Sequence, residues 1–155
     1  MAENALYKTS LSKSMALCSR REYCVNDIRS KLELWGVATI DIEKIIALLK
    51  TENFINEERF ATAFVRDKFT YNKWGKAKIA IHLRMKRIQG DIIKSALDCI
   101  DDETYIRVLK DLIANHRRTV KSKNQYDLKS KQLRFALSKG FESSLVYDVL
   151  KIDEE

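Results

Sequence analysis

Apolar residues recur along the chain at the three- and four-residue spacing that places them on one face of an α-helix. The clearest stripe consists of Phe60, Ala61, Phe64, Val65 and Phe69. Charged and polar residues fill the intervening positions, as they do on the solvent-facing side of a helix. The chain also contains no proline and only four glycines, fewer turn-forming residues than sheet proteins usually need. The pattern therefore predicts an all-α fold.

The helical pattern repeats three times. Three segments each end an amphipathic helix, pass through a short turn and reach an apolar residue: Lys31–Val37, His82–Ile88 and Phe135–Phe141. A helix precedes and another follows each segment, so the repeating unit has three helices. Because one such unit of about 50 residues buries little surface alone, we expect the units to stack on one another. A single compact globule of nine helices is the alternative.

The predicted fold class is all-α, with three tandem three-helix repeats in an elongated or curved body. The predicted divisions are a flexible N-terminal tail at residues 1–9 and repeats at residues 10–52, 53–100 and 101–155. Asn56 and Asp101 precede acidic residues at helix starts and are predicted N-caps. Gly36 and Gly140 stand where a helix must end in a left-handed conformation. Arg87 occupies the equivalent position of the middle repeat.

Composition narrows the function classes. The formal net charge of +7 and the pI of about 9.3 favour contact with phosphates, anionic membranes or acidic proteins. The three cysteines have no CxxC spacing, so neither a disulfide framework nor a structural zinc site is expected. No N-terminal apolar stretch of the sequence resembles a signal peptide, and no apolar run is long enough to cross a membrane. We expect a cytoplasmic, monomeric protein that binds no membrane.

Positive charge is concentrated in two stretches and one smaller group, which are the candidate binding residues. The first stretch contains Lys73, Lys76, Lys78, Arg84, Lys86 and Arg87, without an intervening acid. The second contains Arg117, Arg118, Lys121, Lys123, Lys129, Lys131 and Arg134, opposed only by Asp127. The smaller group is Lys13, Arg20, Arg21, Arg29 and Lys31, of which Arg20, Arg21 and Lys31 are candidate binding residues. Such cations can neutralise nucleic-acid phosphates or contact an acidic protein groove. Helix faces kept soluble by charge are the remaining interpretation.

Aromatic residues beside these stretches are candidates for stacking on bases: Trp74, Tyr71 and Tyr126. For Trp74 the sequence favours packing at a helix entry. The two histidines, His82 and His116, stand apart without metal-ligand spacing. No glycine-rich phosphate loop or nucleophile turn is present. We therefore predict a binding protein that is not an enzyme and needs neither metal nor cofactor.

Several motifs in this order resemble the RecX family of recombination regulators. They are Arg20-Arg21-Glu22-Tyr23, Asn56-Glu-Glu-Arg-Phe-Ala61, Trp74-Gly75 and the segment from Leu133 to Phe141. The resemblance covers roughly residues 10 to 151. The chain departs from the family pattern at Cys24, where Ser or Thr is common as a helix N-cap. It departs again at Asn53 and Arg87, where glycine is usual, and these differences bear on local stability.

The resemblance implies a partner and an activity. RecX proteins are understood to lie in the groove of the RecA filament on single-stranded DNA and to restrain its recombinase, ATPase and coprotease activities. Such a role belongs to homologous recombination, DNA repair and the SOS response. The residues alone leave two alternatives open: an independent nucleic-acid-binding repeat module and a non-enzymatic scaffold that joins two proteins. A helix-turn-helix transcription regulator is less favoured than the RecA modulator or either alternative, because no helix stands out as a recognition helix.

Overall fold

The computed structural model of the chain describes residues 2–151, and the side chains from residue 5 onward. This part of the chain forms nine α-helices and contains no β-strand. The helices are α1 (Ala2–Arg20), α2 (Val25–Leu34), α3 (Thr39–Thr51), α4 (Glu57–Thr70), α5 (Lys76–Met85), α6 (Gly90–Leu97), α7 (Asp102–Thr119), α8 (Gln125–Ser138) and α9 (Ser143–Leu150). The predicted all-α fold class is confirmed. No helix between residues 2 and 151 combines the length and apolar character that crossing a membrane requires.

The helices pack in consecutive groups of three, which we call unit 1 (α1–α3), unit 2 (α4–α6) and unit 3 (α7–α9). In unit 1, α3 packs on both α1 and α2, and in unit 2 each helix contacts the other two. In unit 3, α8 lies against both α7 and α9. The chain exposes 10062 Å², whereas a compact monomer of this mass exposes roughly 8,100 Å². The excess agrees with an elongated row of units.

The N-terminal segment differs from the prediction. The tail expected at residues 1–9 is helical from residue 2, as the beginning of α1, and position 1 lies outside the described residues. Tyr7, Leu11 and Met15 pack on the core of unit 1. Of the side chains described at residues 5–9, Tyr7 is the one that packs on this core, too little for a recognisable stripe. The buried face of α1 continues with two serines, Ser10 and Ser14. Small hydroxyl side chains fit a close helix contact without giving a hydrophobic signal.

The turn that ends the second helix of each unit has the same backbone geometry. Gly36, Arg87 and Gly140 all have positive φ, at 82°, 61° and 95°. The N–H of the next residue then donates back to a carbonyl five residues earlier, as when Ile88 donates to Leu83 at 3.2 Å. This pattern closes a helix C-terminus. The predicted left-handed ends are confirmed, and Arg87 costs about 1 kcal/mol of strain that a glycine would avoid.

Side chains also close several helix N-termini. Asn56 accepts from the N–H of Arg59 at 2.9 Å, and Asp101 accepts from the N–H of Thr104 at 3.0 Å. The bond to Thr104 holds the pKa of Asp101 below its usual range. Cys24 occupies the cap of α2, where its sulfur accepts from the Asp27 N–H at 3.4 Å. The N-caps predicted at Asn56 and Asp101 are confirmed.

Units 2 and 3 share one hydrophobic core and are joined through backbone. Their buried side chains, including Leu83, Leu109 and Phe141, form a single cluster. At its edge the Gly75 N–H donates to the carbonyl of Lys139 at 2.7 Å. A second backbone bond runs from the Ala77 N–H to the Gly140 carbonyl at 3.0 Å. The two backbone segments approach so closely here because neither Gly75 nor Gly140 has a side chain.

Tyr105 reinforces this junction from α7. Its hydroxyl accepts from the Lys76 N–H at 2.9 Å and donates to the carboxylate of Glu142. Burial raises the pKa of Tyr105, and the hydrogen bond to Glu142 raises it further. One buried hydroxyl thus ties the first residue of α5 to the residue that precedes α9, so units 2 and 3 are held in one orientation.

Unit 1 has a core of its own and meets unit 2 mainly through polar contacts. Glu22 and Arg59 form an ion pair at 2.8 Å, and Asp27 pairs with Lys86 at 2.8 Å. Between these pairs Cys24 is fully buried against the core of unit 2. The α1–α2 turn therefore fits onto unit 2, flanked by two ion pairs.

The three cysteines should differ strongly in reactivity. Burial raises the pKa of the Cys24 thiol to about 12, so at pH 8 only about one thiol in ten thousand is ionised and able to attack a disulfide reagent. Cys99 is exposed, whereas Cys18 is half-buried and burial raises its pKa. We expect Ellman's reagent at pH 8 to label Cys99 fast and Cys24 only after unfolding. Peptide mapping by mass spectrometry assigns each phase, and a Cys99→Ser variant should lack the fast one. Equal rates for Cys24 and Cys99 would show that the unit 1–unit 2 contact opens readily.

Candidate binding surface

The first basic stretch is built around Trp74. The indole lies in the loop before α5 and packs, half-buried, on the shared core of units 2 and 3. The Nζ atoms of Lys68 and Lys78 lie 4.9 Å and 4.6 Å from its ring centroid. The His82 ring is 4.5 Å away. Trp74 thus makes extensive contacts within the protein, which favours packing over base stacking.

A cleft of about 570 Å³ separates unit 1 from unit 2. Its walls carry four cations, two carboxylates and three aromatic rings. The residues that line it are Arg21, Tyr23, Asp27, Ser30, Lys31, Phe60, Phe64, Asp67, Lys68 and Lys86. Cations therefore outnumber acids, and the cleft should attract anionic groups.

The cations of the cleft lie over aromatic faces. The Arg21 guanidinium is 4.1 Å from the centroid of the Tyr23 ring, and the Lys31 Nζ is 5.9 Å from it. Lys68 lies 5.5 Å from the ring of Phe64. These contacts hold the charged groups at the rim of the cleft, where each cation–π contact contributes about 0.5–1 kcal/mol.

Lys86 differs from its expected role as an uncompensated cation. The first basic stretch contains no acid in sequence, but the fold brings Asp27 of unit 1 to 2.8 Å from the Lys86 Nζ. Both side chains are mostly buried in this contact. Lys86 therefore joins the two units and adds little net charge to the surface.

The second basic stretch lies at the far end of the row, in unit 3. Arg117 and Arg118 are exposed at the end of α7, and Lys121 and Lys123 are exposed in the following loop. Asp127 is engaged within this stretch: its carboxylate accepts from the Lys123 N–H at 3.0 Å and pairs with Lys131 at 3.2 Å. These contacts hold the pKa of Asp127 below its usual range.

The remaining candidates are dispersed. Arg20, Lys73, Arg84, Arg87 and Arg134 are exposed. Lys76 lies with its Nζ 4.9 Å from the Tyr105 ring, and Lys129 donates to the carbonyl of Lys151 at 3.4 Å. Tyr71 and Tyr126 are 80% and 82% exposed. The structure thus gathers Arg21, Lys31 and Lys86 at one cleft and leaves the unit 3 cations as a separate patch.

The sequence interpretation missed two cations that adjoin the first basic stretch. Lys68 belongs to α4, on a helix face with acids nearby in sequence, but it lies over both Phe64 and Trp74. Lys139 follows α8 and donates to the carbonyl of Asn72 at 3.0 Å, across the unit 2–unit 3 junction. A basic stretch defined along the sequence cannot include residues that only folding brings near.

The grouped cations of the cleft suit the binding of anionic groups, whereas the residues that could bind a metal ion are scattered. Within the described residues, no three His, Cys, Asp or Glu side chains are grouped so that they could hold a metal ion. His116 stacks on Phe135 with 4.2 Å between ring centroids, and His82 lies on Trp74. Both histidines therefore pack against aromatic rings.

Comparisons with known proteins give a consistent result. The chain matches two domain models, "RecX, second three-helix domain" over residues 56–97 and "RecX, third three-helix domain" over residues 103–150. It is 35% identical over 127 residues to "Regulatory protein RecX" of Clostridium botulinum (strain Alaska E43 / Type E3), covering 80% of this chain but only 58% of that protein. A Vibrio parahaemolyticus protein of the same name is 24% identical, covering 95% of this chain and 93% of its own length. A crystal structure of RecX from Lactobacillus salivarius superposes with a TM-score of 0.85 at 18% identity and covers 96% of both chains.

Proposed function

Because the chain belongs to the RecX family of regulatory proteins, we propose that it binds the RecA nucleoprotein filament on single-stranded DNA and inhibits RecA. The main support for this proposal is that units 2 and 3 match the second and third RecX domains in order along the chain. The cations displayed by all three units support it. We propose further that it acts as a monomer in the cytoplasm, where it controls homologous recombination and the SOS response.

A row of three units suits a filament partner. A filament repeats the same surface on successive protomers, and a row of similar units can contact more than one of them at once. The second contact then benefits from a high effective concentration, so that weak individual contacts add to firm binding. The cations at Arg21, Lys78 and Lys123 each belong to a different unit. They can contact acidic protein surfaces or the phosphates of the bound strand.

Co-sedimentation tests the proposed partner directly. We expect the chain to pellet with RecA filaments assembled on single-stranded DNA, and to remain largely in the supernatant with the same DNA alone at near-physiological salt. A filament offers protein contacts in addition to phosphates, whereas binding to phosphates alone weakens steeply as salt rises. RecA without nucleotide or DNA is the control for binding to unassembled protomers. Equal pelleting with naked DNA and with filaments would contradict the proposal.

One observation favours an independent nucleic-acid-binding role as the second candidate. Tyr126 is 82% exposed at the start of α8, next to the exposed cations Lys121 and Lys123. An open ring beside cations is the arrangement that single-strand-binding proteins use. Under this alternative, Tyr126→Ala weakens binding to oligothymidylate without RecA, and filament binding falls in parallel.

A further inference from the structure

We infer that the cleft between units 1 and 2 binds an acidic peptide segment that carries a large apolar side chain. The inference rests on the proposed function for the identity of the partner, which would contribute the segment. The chemistry of the segment follows from the cleft alone.

The charge of the cleft defines the first requirement. Arg21, Lys31 and Lys68 contact aromatic rings, and no carboxylate of the described residues forms an ion pair with them. The fourth cation, Lys86, is already paired with Asp27. Three uncompensated cations therefore surround one opening, and a ligand with two or three carboxylates would complement them.

The floor of the cleft defines the second requirement. Phe60 and the half-buried Phe64 lie beneath the cations, with their ring centroids 5.9 Å apart. An apolar side chain placed on Phe64 would remove apolar surface from water, at about 25 cal/mol per Å² buried. The volume of about 570 Å³ lies within the range of pockets that hold drug-sized ligands. It is therefore sufficient for a few residues of an extended peptide.

The same features argue against a nucleic acid in this cleft. Stacking of successive bases needs several open aromatic faces, but Tyr23 is 7% exposed and Phe60 is 5% exposed, so Phe64 is the one partly exposed ring among the three. The Asp67 carboxylate also lines the cleft and is largely exposed. It repels the anionic groups of either ligand, but a peptide backbone offers it an N–H donor, which the sugar-phosphate backbone of DNA lacks. An acidic peptide can therefore pair with the cations of the cleft through its carboxylates and with Asp67 through its backbone N–H groups.

Fluorescence anisotropy of a labelled peptide tests the inference on the full chain. The probe is a fluorescein-labelled peptide with the sequence Asp-Glu-Leu-Phe-Asp-Glu-Asp. We expect Arg21→Glu and Lys68→Glu each to weaken its binding about tenfold or more, since each turns an attraction into a repulsion. Lys94→Glu makes the same change of charge on the exposed surface of α6 and should leave the affinity within about twofold. Thermal unfolding of each variant verifies folding, and Lys31→Glu provides a third substitution if Lys68→Glu is unstable.

Control ligands separate the outcomes. A peptide with Ser in place of Leu and Phe should bind more weakly, because the contact with Phe64 is lost. The inference is overturned if the probe does not bind, or if Lys94→Glu weakens its binding as much as Lys68→Glu does. It is also overturned if oligothymidylate displaces the probe and the same variants lose oligothymidylate binding. Inhibition of RecA filaments is measured separately with the wild-type chain. If that inhibition is present while the probe fails to bind, only the inference about the cleft is wrong.

Discussion

Replacement of Gly140 by alanine is expected to lower the free energy of unfolding by about 3–5 kcal/mol, because it combines backbone strain with a steric clash. Gly140 has a φ of 95°, a conformation that L side chains rarely adopt. A Cβ at this position would lie 2.2 Å from the Cβ of Lys78 and 2.8 Å from its backbone nitrogen. The clash is with the first turn of α5, so it separates unit 3 from unit 2. Urea unfolding followed by far-UV circular dichroism measures the loss.

The chain provides matched controls for this prediction. Gly36 also has a positive φ, of 82°, but a Cβ there meets nothing within 4 Å. Gly36→Ala should therefore cost only the backbone strain, about 1–2 kcal/mol. Gly90 has open space and no positive φ, so Gly90→Ala should be neutral or slightly stabilising. If Gly140→Ala costs no more than Gly36→Ala, the close junction of units 2 and 3 is not as described.

Reversal of charge at Lys76, Lys78 and Arg84 is expected to weaken inhibition of RecA filaments by about tenfold or more. Each substitution to glutamate replaces an attraction with a repulsion, and the three changes on α5 together should exceed the effect of any one of them. Lys76→Glu and Lys78→Glu place acids at the start of α5, which has none in its first turn and where acids are favourable. Arg84→Glu instead removes a favourable cation from the last turn, so thermal unfolding of the triple variant should verify that it is folded. The measurement is the concentration of the chain that halves ATP hydrolysis by filaments on single-stranded DNA.

A second triple variant controls for the change in net charge. Lys44→Glu, Lys94→Glu and Lys110→Glu together alter the charge equally, on exposed positions of one helix in each unit. This variant should inhibit nearly as well as the wild-type chain. If both triple variants lose inhibition to the same degree, the effect is one of overall charge and α5 is no specific contact. DNA binding without RecA, measured on the same proteins, shows whether the α5 variant loses filament inhibition alone or both activities together.

The sequence was sufficient for the local features of the fold. The spacing of apolar residues predicted the helices, because a helix that packs on a core must present one apolar face. The ends at Gly36 and Gly140 followed from the left-handed conformation that helix termination requires. The resemblance to RecX, carried by motifs such as Trp74-Gly75, is confirmed by the match to the RecX domains. Gly75 also proved to be the point where unit 2 meets unit 3.

The features that the sequence did not reveal depend on residues far apart in the chain. Lys86 was interpreted as a free cation because its partner, Asp27, lies 59 residues away. The cleft between units 1 and 2 was missed for the same reason, since its walls come from both units. The start of α1 was mistaken for a tail because, of the side chains described at residues 5–9, Tyr7 is the one that packs on the core of unit 1, and a single residue makes no apolar stripe. A sequence pattern records the period of a helix but not the orientation of one unit on the next.

The proposed restraint of the RecA filament by this chain can be measured. Its most direct test is the rate of DNA-dependent ATP hydrolysis by preformed RecA filaments as the full chain is added up to stoichiometric excess over RecA. The proposal predicts that the rate falls progressively, and that the triple charge reversal on α5 shifts this fall to higher concentration. An unchanged rate of hydrolysis at stoichiometric excess, together with unchanged strand exchange, would contradict it.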